Sequence, residues 1–299
     1  YYPVLVLLPL AIAVLVMDFS KARFTHPFAD YGYISWLVVL GFYYYQLWQQ
    51  DSQREPVLLL WQHRVIFWLG SVMITLELAW AVDQLVEGAG TWSFIMWGVV
   101  PALLLKLASG SADWCRWPVA RHYSDYLGIT SLPLLAGMML WSVIASLHMA
   151  GDPWPISYLP ILNPLDLAEL FVFLAIIQWF MTLRRHRQEV AYKLDNDILL
   201  YGLGIIIFIW INGVVARTIH HWAGLNFDWH LMFNTMLFHA AISVVWTLLA
   251  MTIAVIASYM RHRKLWFVGA GLLAIVVGKL FLVDLANSGT IERIVSFLV

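Results

Sequence analysis

Apolar runs recur along the chain, separated by short polar stretches. They lie at about 1–17, 31–48, 65–82, 91–108, 129–149, 165–183, 198–216, 231–260 and 265–285, and a tenth begins near Ile291. A run of roughly 20 apolar residues matches the ~30 Å hydrocarbon thickness of a bilayer at helical rise. Backbone amides in hydrocarbon must be bonded within their own segment, so each run predicts a helix. The expected class is all-α: a polytopic transmembrane helical bundle of about nine full spans plus a truncated tenth, as one domain over 1–299. Val57–Trp61 is too short to span and is expected at the interface, while Pro101, Pro133 and the Gly202/Gly204 pair are expected to kink their helices. The stretches 65–150 and 205–285 share an order of helix, outer loop, helix, basic loop and helix, which suggests a weak parallel repeat.

Composition excludes the soluble alternatives. Hydrophobic residues are 62% and charged residues 12% of the 299, against roughly 45–50% and 25% for a soluble domain. So few charges cannot cover a water-exposed surface, and the same numbers exclude a disordered chain. The net charge of −1 leaves no global basic surface for nucleic acid. The single cysteine, Cys115, excludes an intrachain disulfide. The chain starts at Tyr1 and ends inside an apolar run, so it is expected to be a fragment of a longer multi-span protein.

The loops set an orientation. Arg54, Arg64, Lys106, Arg116, Arg121, Arg184, Arg185, Arg187, Lys193, Arg261, Arg263 and Lys264 cluster in alternate loops. The intervening loops 83–90 and 150–164 have no Lys or Arg, and 217–230 has only Arg217. Under the positive-inside rule, 49–64, 109–128, 184–197 and 261–264 are cytoplasmic. The loops 83–90, 150–164, 217–230 and 286–290 are then periplasmic, and only 18–30, with Lys21 and Arg23, is ambiguous. Tyr and Trp at span ends read as interfacial anchors.

Ionisable groups inside spans cost about 2.5–3.5 kcal/mol each on insertion scales, so their positions carry information. Glu77, Asp166, Glu169, Arg217, His220, His221, Lys279 and Asp284 all fall near the predicted outer ends, with His148 and His239 beside them. Two readings compete: buried ion pairs that fix helix packing, or a water-accessible cavity that binds a polar ligand. Arg217, His220 and His221 are spaced i, i+3, i+4 and share a helical face. In the outer loop, Pro153, Pro155, Pro160 and Pro164 preclude a regular helix before the sixth span. Asn163 is its expected N-cap, Pro164 its first residue, and Asp166 a first-turn acid favoured by the dipole. Capping does not explain Glu169. His220, His221, Asp228, His230 and His239 have no tight ligand spacing, so no metal and no cofactor is expected. Phosphate-binding, dinucleotide and nucleophile-elbow motifs are absent, and nothing marks one serine over another.

Three segments resemble a bacterial family of predicted membrane proteins, domain-of-unknown-function family 2339. They are Tyr158-Leu-Pro-Ile-Leu-Asn-Pro-Leu-Asp-Leu167, Arg217-Thr-Ile-His-His-Trp222, and a C-terminal set. That set comprises Leu265-Trp266, Lys279-Leu-Phe-Leu-Val-Asp-Leu285 and Ile291-Glu-Arg-Ile-Val-Ser-Phe297. The loop Arg116-Trp-Pro-Val-Ala-Arg-His122 also fits, so the resemblance covers about 116–299. It implies a large inner-membrane protein with this chain near its C-terminal end, and no known activity. The elements carrying it include Asn163, Asp166, Arg217, His220, His221, Lys279 and Asp284.

The expected function is an inner-membrane protein whose outward-facing polar cavity binds or translocates an envelope component, a lipid-linked sugar or other anionic lipid. Arg217 and Lys279 would pair its phosphate or carboxylate, and Glu77, Asp166 and Glu169 would hold hydroxyls or a proton. Expected partners are membrane lipids, that ligand and a periplasmic partner protein. Two other readings stay open: an integral membrane transferase acting on a periplasmic substrate, with Asp166, Glu169, His220 or His221 as general base, and a purely structural component of an envelope complex.

Overall fold

The computed structural model describes residues 26–29, 31–51, 56–86, 90–110, 116–186 and 196–284. The described residues are helical, with no strand among them. They fall into two compact units, Tyr1–Gly213 and Val214–Val299.

The first unit opens with α1 (Gly32–Gln50), α2 (Pro56–Leu85) and α3 (Gly90–Gly110). A turn at Arg116–Ala120 and the short α4 (Tyr123–Leu127) follow. A 3-10 turn at Ile129–Ser131 then leads into α5 (Leu132–His148), and the unit continues with α6 (Pro164–Arg185). α7 (Asn196–Ala223) starts in this unit and ends in the second. Its core stacks α2 on α3, and α3 on α5 and α6. Glycines sit where α5 is approached most closely. Gly98 on α3 faces the Trp141 ring of α5, and Gly213 on α7 faces the backbone of Ser146 on α5. Small residues at crossings let helices approach without a hydrophobic force between them, which lipid does not supply.

The second unit holds the end of α7, a single turn α8 (Trp229–Met232), α9 (Met236–Tyr259) and α10 (Arg263–Lys279), then a wide turn to Asp284. Asp228 caps α8 through the Leu231 amide, and Thr235 caps α9 through that of Phe238. α9 and α10 form the main packed pair. Around Gly269 an added Cβ would lie 3.0 Å from Ala254 N and 3.1 Å from Ala250 O.

Seven stretches among the described residues are long and apolar enough to cross a membrane: Val57–Leu85, Gly90–Gly110, Tyr123–His148, Pro164–Arg185, Asp197–Ala223, Met236–Tyr259 and Arg263–Leu282. That is fewer than the nine to ten expected. The runs at 1–17 and from Ile291 lie outside the described residues. The run at 31–48 does form a helix, α1, but Tyr43, Tyr44, Tyr45, Gln46, Gln49 and Gln50 dilute its apolar character.

Three smaller expectations change as well. Val57–Trp61 is no separate interfacial segment: it is the start of α2, whose 30 residues extend about 45 Å at helical rise. Pro133 does not kink a span, because it sits in the first turn of α5, where its missing N–H costs nothing. The eighth run, expected as one helix, breaks at Phe233–Thr235, so His239 lies in the first turn of α9.

Candidate functional site

The residues of the expected polar layer are divided between the two units. In the first unit, the Glu77 carboxylate lies 3.0 Å from His26 Nδ1 and accepts from the Phe28 amide at 3.2 Å. The His26 ring stacks on Trp80, centroids 3.6 Å apart. Glu77 therefore ties the segment before α1 to α2. Asn163 is the N-cap of α6: its Oδ1 accepts from the Asp166 amide at 3.0 Å, and its Nδ2 donates to the Asp166 carboxylate. The Ile161 amide also donates to Asp166 Oδ2, at 3.2 Å. Ile161 has φ 68°, a left-handed conformation that a β-branched side chain rarely adopts. The proline-rich loop thus folds back onto the first turn of α6, with Asp166 as its knot.

Glu169, one turn further on, is fully buried. Its Oε1 accepts from Ser142 Oγ at 3.0 Å and Ser146 Oγ at 2.9 Å. These serines are i, i+4 on α5, so they present two hydroxyls along one face. Two hydroxyl donors partly offset the cost of burying a carboxylate.

In the second unit, Arg217 is fully buried near the end of α7. His220 Nδ1 lies 2.6 Å from Leu225 O, closing the loop that follows α7. The rings of His220 and His221 meet edge to face at 4.7 Å. Lys279 Nζ donates to His239 O at 3.0 Å and to Ser243 Oγ at 2.6 Å, joining α10 to α9. Asp284 ends the wide turn after α10, and its side chain lies outside the described residues. The structure thus brings Asn163 to Asp166, and His220 to His221. Glu77 lies at His26, and Glu169 contacts the α5 serines.

A second polar cluster was not anticipated. It gathers where α1 ends and α2 begins, under the turn 116–122. Asp51 closes α1, and its side chain is only 2% exposed. That position faces the negative end of the helix dipole, which disfavours a carboxylate. Cationic and N–H groups compensate: Arg121 Nε lies 2.8 Å from Oδ2, Trp117 Nε1 donates to Oδ2 at 3.1 Å, and His122 Nε2 lies 2.8 Å from Oδ1. His63, two turns into α2, is fully buried, and its ring lies 4.8 Å from that of His122. Tyr126 on α4 places its hydroxyl 3.3 Å from His63 Nδ1. Beside it Arg64 pairs with Asp125 through Nε at 3.0 Å and through a closer Nη2 contact, and Thr130 Oγ1 donates to Asp125 at 2.9 Å. Among the described residues, the three potential metal ligands that converge are Asp51, His63 and His122. The histidines of the 220–239 region do not form such a group among those residues.

In the sequence, Arg64 and Arg121 mark orientation, and Arg121 and His122 also belong to the loop 116–122 that carries the family resemblance. A signal was present: an Asp at a helix end, a His-Arg pair inside an apolar run, and an Arg-His pair in the facing loop. No fixed spacing joins them, because the ligands come from three separate elements.

The described residues also hold an apolar cavity of about 460 Å³ between α2, α3 and α5. Its walls include Trp68 and Thr75 of α2, Trp97 and Pro101 of α3, and Gly137 and Ile144 of α5. Trp97, Leu140 and Ile144 at its rim are exposed, so it opens on the apolar flank of the helices. Ser142 and Ser146 leave α5 on the opposite side, toward Glu169. One helix therefore separates an apolar cavity from a buried carboxylate.

A family model described as "Predicted membrane protein (DUF2339)" matches residues 1–299, wider than the 116–299 carried by the recognisable segments. No curated protein and no solved structure matches the chain.

Proposed function

The chain belongs to this family of membrane proteins, and from that premise we propose that it binds a lipid-like envelope component, an apolar chain bearing a polar or anionic head. The observation that carries this reading is the cavity of about 460 Å³ on the flank of α2, α3 and α5. Ligand sites are commonly about 300–1,000 Å³, mostly apolar, with a few placed polar groups. This one lies within stretches long and apolar enough to cross a membrane, so hydrocarbon reaches it without crossing water. Ser71 and Thr75 are the polar groups of its lining.

In the first unit, Glu77, Asp166 and Glu169 are the groups that would hold hydroxyls of the head. In the second unit, taken by itself, Arg217, fully buried, and Lys279, held by His239 and Ser243, are costly in a span and are functional candidates for an anion. On this reading the head is received on the periplasmic side of an inner membrane.

Gly137 offers the test. An added Cβ there would meet nothing within 4 Å, so a larger side chain enters the cavity without striking backbone. Gly137→Phe should lower the retention of a spin-labelled phospholipid about tenfold, equivalent to ~1.4 kcal/mol, with the melting temperature nearly unchanged. Equal retention by the variant and the parent would exclude the cavity as a binding place.

A further inference from the structure

We propose that Asp51, His63 and His122 form a site for a divalent transition-metal cation of the zinc class, with one coordination position left open. One ligand atom from each residue lies within 4.8 Å of the other two. Around tetrahedral zinc, with ligand bonds of about 2.0–2.2 Å, neighbouring ligand atoms lie roughly 3.3–3.6 Å apart. No pair therefore needs to close by more than about 1.5 Å, which side-chain rotation supplies. Two imidazoles and one carboxylate suit zinc, and three protein ligands leave the fourth position for water or another small ligand.

An independent observation comes from His63. The residue is fully buried, and its Nε2 has no hydrogen-bond partner among the described residues. A buried polar nitrogen left unbonded keeps its desolvation cost uncompensated. Its Nδ1 is engaged by the Tyr126 hydroxyl at 3.3 Å. When Nδ1–H donates to that oxygen, Nε2 carries the lone pair a metal requires, the usual arrangement of an outer partner orienting a ligating histidine.

The surroundings fit the same assignment. Asp51 Oδ2 is held by Trp117 Nε1 at 3.1 Å and Arg121 Nε at 2.8 Å, which leaves Oδ1 to bind through one oxygen. His122 Nε2, 2.8 Å from Oδ1, would exchange that contact for the metal and release a proton if it carries one there. The C-terminal end of α1 favours a cation at this point. Arg121 opposes it, but its side chain is 53% exposed and its charge is largely met by solvent. The inference is independent of lipid binding: the cluster shares no residue with the cavity lining.

The test uses the full chain purified in detergent, stripped with a chelator, and titrated with Co²⁺ as a spectroscopic substitute and with Zn²⁺ by equilibrium dialysis. One ion per chain is expected, with the visible absorption of tetrahedral Co²⁺. His63→Gln and His122→Asn, which keep polar side chains in place, should each weaken binding by at least about 100-fold. Trp117→Phe, which removes an outer partner only, should cost about 10-fold. His230→Gln, at an exposed position outside the cluster, should change nothing. Elution volume and melting temperature of the stripped variants report folding. Should a variant fail to fold, Asp51→Asn supplies the second reading of the same loss. Absence of a bound ion in the parent protein, or equal affinity in the parent and in folded His63 and His122 variants, overturns the site.

Discussion

At the residue scale, the structure separates groups that satisfy local backbone from groups that hold distant elements together. Asn163 and Asp166 are of the first kind and were legible, because an N-cap followed by proline is a short-range pattern. Glu169 is of the second kind. The sequence marks it as an acid that capping does not explain, and its partners, Ser142 and Ser146, become visible only when α5 lies against α6. Gly213 adds a third element at the same place. Its missing Cβ leaves room for the Ser146 carbonyl, which a methyl would approach to 2.9 Å. That neighbour is backbone and cannot swing aside, so Gly213→Ala should destabilise the protein by about 1–3 kcal/mol. A chemical-denaturation series on the detergent-solubilised protein measures this, and an unchanged midpoint would mean that α7 shifts to accommodate the methyl.

At the element scale, the second unit illustrates packing without a hydrophobic force. On α9, Ala250, Ala254 and Ala257 follow one face, and Gly269 of α10 meets its Ala250–Ala254 part. Val244, Leu248, Met251 and Val255 follow another face of α9 and are exposed. In water this arrangement would be inverted; in lipid the bulky residues meet hydrocarbon and the small ones let backbones touch. Gly269→Leu should separate the pair and loosen the grip of Lys279 on Ser243, so the variant should lose at least ~2 kcal/mol of stability. Lys279→Met should cost less than Gly269→Leu in the same thermal assay. A smaller loss for the glycine variant would place the holding force in the polar contact rather than the close approach. α1 shows the limit of reading elements from apolar runs. A helix was expected there and forms, but its tyrosines and glutamines leave it short of the apolarity of the other seven stretches.

At the scale of the whole molecule, the distribution of charge makes a claim about sidedness that labelling can check. In a Cys115→Ser background, cysteine placed at Ala223 should react with a membrane-impermeant maleimide on intact cells. Cysteine placed at Ser124 should react only after the membrane is opened. Both positions are exposed, so a reversed pattern would invert the proposed orientation and move the anionic head-binding reading to the other face.

The sequence alone was enough to determine a helical membrane protein, the place of most spans, the α6 cap and the alternation of basic loops. These are local or one-dimensional properties: span length, hydropathy and capping act within about one helix and need no knowledge of neighbours. Tertiary structure decided which polar residues share surroundings. It enclosed Glu169 between two serines, opened a cavity beside Gly137, and drew Asp51, His63 and His122 from three elements into one cluster. Such groupings depend on helix rotation and on where a loop folds back. Hydrophobic runs specify neither, because a helix in lipid can turn about its axis at little cost until a close backbone contact or a buried polar bond stops it.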